Sequence, residues 1–160
     1  MTSQLIIEVK MTEMAISHND AIIRSSGIGS CVVVTMYDPV NRVGGLFHAI
    51  LPQRVDYLTA KDEEEPNAKY ADEAIVTMLK ELQKLGANKA DIRAKIIGGA
   101  EMFKNFATGA ASIGSQNVES AKKKLAELQI NLESEDTGGT IGRSVEFTLV
   151  NGLVTVNTKM

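Results

Sequence analysis

Short apolar runs of strand length dominate the first third of the chain. Residues 5–9 and 21–23 form two such runs, with a polar, turn-like stretch between them. Residues 31–37 are β-branched and almost continuously apolar, which predicts a strand buried on both faces. A short loop containing Pro39 follows, and residues 43–51 then return as a second apolar run. The two runs are therefore predicted to pair as a hairpin.

Helical periodicity appears in two later segments. One stripe has apolar residues three or four positions apart and consists of Ala71, Ile75, Met78, Leu82 and Leu85. Gly86 follows it and is predicted to cap the helix at its carboxyl end. The second stripe consists of Val118, Ala121, Leu125 and Leu128. Ser115 or Asn117 is predicted as the N-cap of this second helix.

The rest of the chain again reads as strands. Residues 93–97 and 130–135 form two of them, and residues 136–139 form a loop. Asn151-Gly152 lies between two alternating runs and is the strongest hairpin signal in the sequence. About seven strands and two main helices result. This order predicts an α/β fold, a single-domain layered sandwich of mixed β-sheet that spans residues 1–160.

Charge excludes several kinds of partner. Lys and Arg number 17 against 20 Asp and Glu, and no basic stripe is interleaved with aromatic residues, so no nucleic acid partner is expected. Residues 62–65 are acidic and indicate a solvated loop, and Lys122 to Lys124 indicate the wet face of the second helix. No signal peptide or membrane-spanning run is evident, so we expect a cytoplasmic protein without membrane insertion.

Few cysteine and histidine side chains are present that could act in catalysis or bind a metal, since the chain has one cysteine and two histidines. That count excludes an internal disulfide framework and a cysteine-rich metal centre, and no metal or cofactor is expected. A thiol nucleophile could only be Cys31, which the glycine-flanked turn Gly27-Ile28-Gly29-Ser30 delivers to the start of a buried strand. No helix follows this turn, so a dinucleotide-binding loop is disfavoured. The plainer alternative is a small buried cysteine.

His48 makes a catalytic interpretation of Cys31 more specific. Hairpin pairing places His48 near position 33 or 31, at the same end of the ribbon as Cys31. An imidazole beside a thiol is expected to lower the thiol pKa and to shuttle its proton, as thiol-based acyl transfer requires. The alternative is a core histidine bonded to a backbone carbonyl. His18 lies in a polar turn and is expected at the surface.

A third group would orient the imidazole through its other ring nitrogen. Ser25 and Ser26 stand just before the glycine turn and could supply a hydroxyl. Asp38, Asp72 and Asp136 are acidic alternatives that periodicity leaves open.

Several blocks of the sequence resemble the CheD family of chemoreceptor glutamine deamidases. The likeness begins with Gly-Ile-Gly-Ser-Cys at 27–31 and the Gly-Gly-Leu-Phe-His-Ala-Ile-Leu-Pro segment at 44–52. It continues in Lys-Tyr-Ala-Asp at 69–72, Lys-Ile-Ile-Gly-Gly-Ala-Glu-Met-Phe at 95–103 and Ile-Gly-Ser-Gln-Asn at 113–117, and in Glu-Asp-Thr-Gly-Gly at 135–139 with Arg-Ser-Val-Glu at 143–146. These blocks extend over almost the whole chain.

The resemblance implies an enzyme that converts particular glutamines of methyl-accepting chemotaxis receptors to glutamates through a cysteine thioester. The family's nucleophile falls on Cys31 and its general base and acid on His48. Its third residue is a threonine, and Ser25 occupies that position here, which keeps the hydroxyl and loses a methyl group. Backbone N–H groups of Ser30 and Cys31 are the expected donors to the tetrahedral oxyanion. The same acyl chemistry could also hydrolyse a glutamate methyl ester.

The resemblance also implies partners. Receptors are the expected substrate, and the chemotaxis phosphatase CheC is an expected regulatory partner. Gly98, Gly99, Met102 and Phe103 could line a partner surface, with ordinary loop packing as the alternative. Two other functions remain open: a binding module that regulates the phosphatase with little deamidase activity of its own, favoured only by Ser25 in place of threonine, and a thiol hydrolase acting on another amide.

Overall fold

The computed structural model describes residues 4–55, 65–102 and 112–158. Nine strands and two α-helices lie within these ranges. The strands are β1 (Leu5–Glu8), β2 (Met14–Ser17), β3 (Ala21–Ile28), β4 (Val32–Asp38), β5 (Val43–Ala49), β6 (Arg93–Gly98), β7 (Asn131–Thr137), β8 (Arg143–Thr148) and β9 (Leu153–Thr158). The helices are α1 (Ala71–Lys84) and α2 (Ile113–Glu127), and a single 3₁₀ turn covers Lys89–Asp91.

The strands form two mixed sheets. The first sheet has the order β1-β3-β8-β9, with β1 parallel to β3 and the other neighbours antiparallel. The second has the order β2-β5-β4-β6-β7, in which only β6 and β7 are parallel. The predicted layered α/β sandwich of mixed sheet is therefore confirmed.

Strand β4 lies at the centre of the molecule, because every one of its residues is buried. Successive side chains of a strand point to opposite faces. Val33 and Tyr37 accordingly pack into an apolar layer between the two sheets, whereas Val32 and Val34 pack into a second layer under the helices. The molecule thus has three layers, with the second sheet in the middle, and the strand expected to be buried on both faces is β4.

The estimate of about seven strands was too low, mainly because β2 was missed. This strand has four residues and pairs at the sheet edge with β5, and three of its four side chains are only partly buried. A four-residue edge strand is too short to show a clear alternation of apolar and polar residues. Its position is fixed instead by its hydrogen bonds to the neighbouring strand. Strand β3 also extends beyond 21–23, and β7 includes Asp136 and Thr137, which the sequence placed in a loop.

The carboxyl end of α1 and the amino end of α2 are capped in different ways. Gly86 has φ 99° after α1, and the N–H groups of Gly86 and Ala87 donate to the carbonyls of Gln83 and Leu82. These two bonds form a Schellman motif, which confirms the predicted glycine cap. The predicted caps of α2 were wrong, since the helix begins two residues before Ser115. Ser112 is the N-cap, and its hydroxyl accepts from the Ser115 N–H at 3.2 Å.

Charged side chains form ion pairs on the surface. Lys122 of α2 pairs with Glu135 of β7 at 2.9 Å, and Lys124 pairs with Glu127 at 2.8 Å, so the lysine run lies on the outer side of α2 as expected. Most of the acidic run 62–65 lies outside the described residues. His18 is exposed, as expected. No helix in the described ranges is long and apolar enough to cross a bilayer.

Helix α2 packs very closely on the segment that follows β6. A Cβ atom added at Gly114 would collide with the backbone carbonyls of Gly99 and Ala100, and one added at Gly99 would collide with Val118. Close approach of two backbones explains the glycines at positions 99 and 114. The first turn of α2 is thereby held against the chain next to the thiol-bearing turn.

We expect Gly114→Ala to destabilise the fold by about 1–3 kcal/mol, because backbone atoms must move to admit the methyl group. Gly142→Ala is the control, since the nearest atom to its added Cβ would be the Ile28 carbonyl oxygen at 3.7 Å, an ordinary contact. Its free energy of unfolding should stay within about 0.5 kcal/mol of the wild-type value. Urea denaturation of the three proteins measures the difference. Equal stability of Gly114→Ala and wild type would contradict the close packing.

Candidate active site

The thiol is carried by a turn that leads from β3 into β4. Pairing of β3 with β8 shifts register between Ser25 and Ile28, where Gly27 has φ 66°, so β3 ends in a bulge that favours glycine. The Cys31 carbonyl accepts from the Gly99 N–H at 2.7 Å. Cys31 is partly buried and directly precedes β4. The turn therefore has a defined position at one end of the central strand.

His48 lies on β5 directly opposite Val33 of β4, which selects position 33 from the two predicted registers. Cross-strand partners point to the same face, so His48 enters the layer between the sheets together with Val33. Its ring is fully buried. Its backbone is held as well, because the N–H donates to the Glu13 carbonyl at 3.1 Å and the carbonyl accepts from the Thr12 N–H at 2.7 Å.

Ser25 reaches His48 across the gap between the two sheets. Its Oγ lies 2.8 Å from His48 Nδ1 and donates its one proton to the Val9 carbonyl oxygen at 2.6 Å. A carbonyl oxygen can only accept, so the hydroxyl proton is committed to Val9. Ser25 must then accept from Nδ1–H of the imidazole. The contact selects the tautomer with an unprotonated Nε2, which is the form that can act as a base.

The other candidates for the orienting group are placed elsewhere. Ser26 is exposed. Asp38 closes the β4–β5 loop by accepting from the backbone N–H groups of Val40 and Asn41. Asp136 pairs with Arg143 at 3.2 Å, and Asp72 lies in the first turn of α1. None of these four makes the bond to the imidazole, and Ser25 does.

Burial sets the protonation states of the two reactive side chains. It lowers the pKa of His48 from 6.5 to about 4, because a buried imidazolium would lose its hydration. Burial also raises the pKa of the Cys31 thiol, and the thiol's own backbone N–H offsets this only in part. The expected lowering of the thiol pKa by His48 is therefore not found. A neutral imidazole carries no positive charge with which to stabilise a thiolate.

Cys31 and His48 lie near the same end of the β4–β5 hairpin but form no hydrogen bond with each other. Cys31 lies one residue outside the paired part of β4 and two residues before Val33, the partner of His48. Nε2 of His48 is buried and has no hydrogen-bond partner among the described residues. The lone pair of the imidazole is thus available to a thiol proton or to a water molecule.

The predicted oxyanion donors are also available. Within the described part of the chain, neither the Ser30 nor the Cys31 N–H donates to a backbone carbonyl. The Cys31 N–H belongs to the same residue as the proposed nucleophile. A carbonyl carbon attacked by the Cys31 sulfur would bring its oxygen close to this N–H.

Asn117 is a site residue whose place the sequence analysis missed. It was predicted as a helix cap, but it lies inside α2, fully buried, and its Nδ2 donates to the carbonyls of Ser30 at 2.8 Å and Ile50 at 3.2 Å. One signal was present in the sequence. Asn117 adjoins Val118 of the apolar stripe, and an amide on the inner side of a helix needs buried partners.

The expected partner surface is described only in part. Met102 is 46% exposed, and its side chain would lie 3.2 Å from a Cβ added at Gly29, so it covers the glycine turn. Gly98 ends β6 and has φ 114°, and Gly99 has φ 65° and donates its N–H to the Cys31 carbonyl. Phe103 lies outside the described residues. Within residues 4–55, 65–102 and 112–158, no three His, Cys, Asp or Glu side chains cluster to hold a metal ion.

A thiol on a rigid turn, a neutral imidazole and a hydroxyl that orients it are the groups that thiol-dependent acyl-transfer enzymes use. Comparison with known proteins is consistent with this class. The family model described as CheD chemotactic sensory transduction matches residues 50–158. A probable chemoreceptor glutamine deamidase CheD of Pyrococcus abyssi is 43% identical over 148 residues, which cover 92% of this chain and 88% of the relative.

Two further relatives are named chemoreceptor glutamine deamidase CheD. That of Halalkalibacterium halodurans is 42% identical and covers 89% of this chain and 86% of its own length. That of Bacillus subtilis is 40% identical and covers 91% of this chain and 87% of its own length. The chain belongs to the CheD family, as the resemblance of its motifs implied.

We expect acid to destabilise this protein through His48. The pKa of its imidazole is about 4 in the folded state against 6.5 ordinarily, so between these values the unfolded chain binds more protons. Stability is therefore full above about pH 6.5 and falls toward pH 4, by at most about 3 kcal/mol. His48→Gln should lose less stability over the same range. Urea denaturation across this window compares the slopes, and identical slopes would contradict a buried neutral imidazole.

Proposed function

We propose that this protein hydrolyses the side-chain amide of glutamines on chemoreceptors to glutamate, with Cys31 as nucleophile and His48 as general base and acid. The observation that carries the proposal is the bond from His48 Nδ1–H to Ser25, which leaves Nε2 unprotonated and, among the residues that the structure describes, without a hydrogen-bond partner. The names of the relatives support the substrate, since they are chemoreceptor glutamine deamidases.

The first step forms the bond between Cys31 Sγ and the amide carbon. His48 Nε2 takes the thiol proton as this bond forms, because the raised pKa of the thiol keeps it protonated beforehand. The carbonyl π electrons move to oxygen, and the backbone N–H groups of Ser30 and Cys31 stabilise the oxyanion. The result is a tetrahedral intermediate and an imidazolium.

The second step expels ammonia. The imidazolium gives its proton from Nε2 to the amide nitrogen, the C–N bond breaks, and the oxyanion electrons restore the C=O bond of a thioester on Cys31. Since the pKa of His48 is lowered to about 4, its imidazolium gives up a proton more readily than an ordinary imidazolium, which favours protonation of a poor leaving group.

The third step hydrolyses the thioester. Neutral His48 takes a proton from water as the water oxygen bonds to the acyl carbon, and the C–S bond then breaks. The departing sulfur recovers the proton from Nε2, which regenerates the thiol and the neutral imidazole. One amide and one water give one carboxylic acid and one ammonia, so the cycle balances without a cofactor.

The competing proposal is a regulatory module that binds the CheC phosphatase and has little deamidase activity. Its only support in the sequence was Ser25 in place of threonine. The Ser25 hydroxyl makes the orienting bond that a threonine hydroxyl would make, so the geometry favours the enzyme. CheC remains a proposed partner of the active enzyme.

Cys31→Ala is the decisive variant because the chain has one thiol. Wild-type protein incubated with receptor cytoplasmic fragments should convert particular glutamines to glutamate, and Cys31→Ala should give no conversion above background. Peptide mass spectrometry measures the conversion. Conversion by Cys31→Ala, or none by wild type, would overturn the proposal. Stimulation of the phosphatase by an inactive wild type would instead support the regulatory module.

Ser25→Ala should lower kcat by about 10-fold to 100-fold, because the imidazole loses the acceptor that selects its tautomer. Ser25→Thr is the matched control. It keeps the hydroxyl and restricts its rotamers, so its kcat should stay within about threefold of the wild-type value. The same deamidation assay measures all three proteins. Wild-type activity in Ser25→Ala would remove the orienting role of Ser25 while leaving Cys31 as nucleophile.

A further inference from the structure

Asn117 contacts the site from the side opposite to Ser25. Helix α2 packs on the outer face of the second sheet, whereas His48 and Ser25 meet on its inner face. The Asn117 side chain is fully buried and its Nδ2 bonds to two carbonyls. One belongs to Ser30, just before the thiol residue, and the other to Ile50, two residues after His48. A single amide group therefore ties together the two chain segments that carry the reactive side chains.

The bond to Ser30 determines where the next N–H points. The Ser30–Cys31 peptide bond is trans, as are all those described. In a planar trans peptide the C=O and the following N–H point in opposite directions. Because the Ser30 carbonyl points toward α2, the Cys31 N–H points away from the helix, toward the face on which His48 lies.

The asparagine makes these bonds at a cost. Its Oδ1 is buried and has no hydrogen-bond partner among the described residues. A buried polar atom without a partner loses its hydration and gains no bond in return, which destabilises the fold. An apolar side chain would remove that cost but would leave the Ser30 carbonyl without a side-chain donor.

We infer that Asn117 is a positioning residue that holds the Ser30–Cys31 peptide in the orientation in which the Cys31 N–H stabilises the oxyanion. The inference rests on the thioester mechanism proposed above. The second bond of Asn117, to Ile50, fixes the amide relative to β5 and so keeps this peptide at a constant position relative to His48. Asn117 does not touch the reacting atoms.

Asn117→Asp tests the inference with almost no change in shape. A carboxylate cannot donate to the Ser30 carbonyl and repels it, so the peptide loses its anchor. We expect kcat for receptor deamidation to fall about 100-fold, the usual effect of losing one oxyanion donor, with KM within about threefold of wild type. Alkylation of Cys31 by iodoacetamide should change by less than about threefold. That reaction displaces iodide from a saturated carbon and develops no oxyanion.

Ser120→Ala is the matched control. Ser120 lies on the same helix, and its hydroxyl donates to the Pro52 carbonyl at 2.6 Å, so the variant also removes a bond between α2 and the segment after β5. It should keep the wild-type kcat within about twofold. If the Asn117→Asp variant deamidates the receptor with the wild-type kcat, the inference is overturned. An equal fall in kcat and alkylation rate would also overturn it, since the thiol itself would then be displaced.

A measurement on the wild-type protein covers the case in which Asn117→Asp does not fold. A receptor peptide with an aldehyde in place of the glutamine amide adds the Cys31 thiol across its C=O bond to form a hemithioacetal. The amide proton of Cys31 should then move downfield in the NMR spectrum, and an unchanged resonance would overturn the inference.

Activity of the Cys31→Ala variant separates this inference from the proposed function. Activity in Cys31→Ala overturns the thioester mechanism and this inference with it, whereas an inactive Cys31→Ala beside an active Asn117→Asp overturns this inference alone.

Discussion

The bond between Ser25 and His48 is the interaction on which the proposed chemistry depends. It forms in the buried layer between two sheets, with the hydroxyl on one sheet and the imidazole on the other. The hydroxyl can orient the imidazole because its own proton goes to the Val9 carbonyl. The bond therefore requires both sheets to keep their distance and register. The packing of the whole sandwich thus determines which nitrogen of His48 is the base.

Burial is the second constraint, and it acts on both reactive groups in the same direction. It disfavours the imidazolium and the thiolate alike, so the resting pair is neutral. Charge then develops only during the reaction. A neutral resting site needs donors already aimed at the oxyanion, and the Cys31 N–H fits that need. As proposed above, Asn117 orients this N–H from the helix layer and Ser25 orients the imidazole from the other sheet, so the proposed site draws on all three layers.

The sequence predicted the parts of the fold that depend on local pattern. Two such features are the hairpin between β4 and β5 and the glycine cap of α1. Each is predicted by residues that lie close together along the chain. The hairpin register was accurate enough to bring His48 to the end that carries Cys31. Strand β2 was missed because its pairing with β5 is a tertiary contact. The cap of α2 was misplaced because Asn117, a good capping residue, is instead occupied with carbonyls of other elements.

The sequence by itself determined which side chains could act, since one thiol and one buried-strand histidine leave little choice, and motif resemblance indicated the family. The tertiary structure decided how they are arranged. Ser25 is separated from His48 by 23 residues along the chain, and Asn117 from Ser30 by 87. Periodicity cannot distinguish Ser25 from Asp38, Asp72 or Asp136 as the partner of an imidazole. The distance between two packed sheets makes that selection, and desolvation in the same layer sets the protonation states.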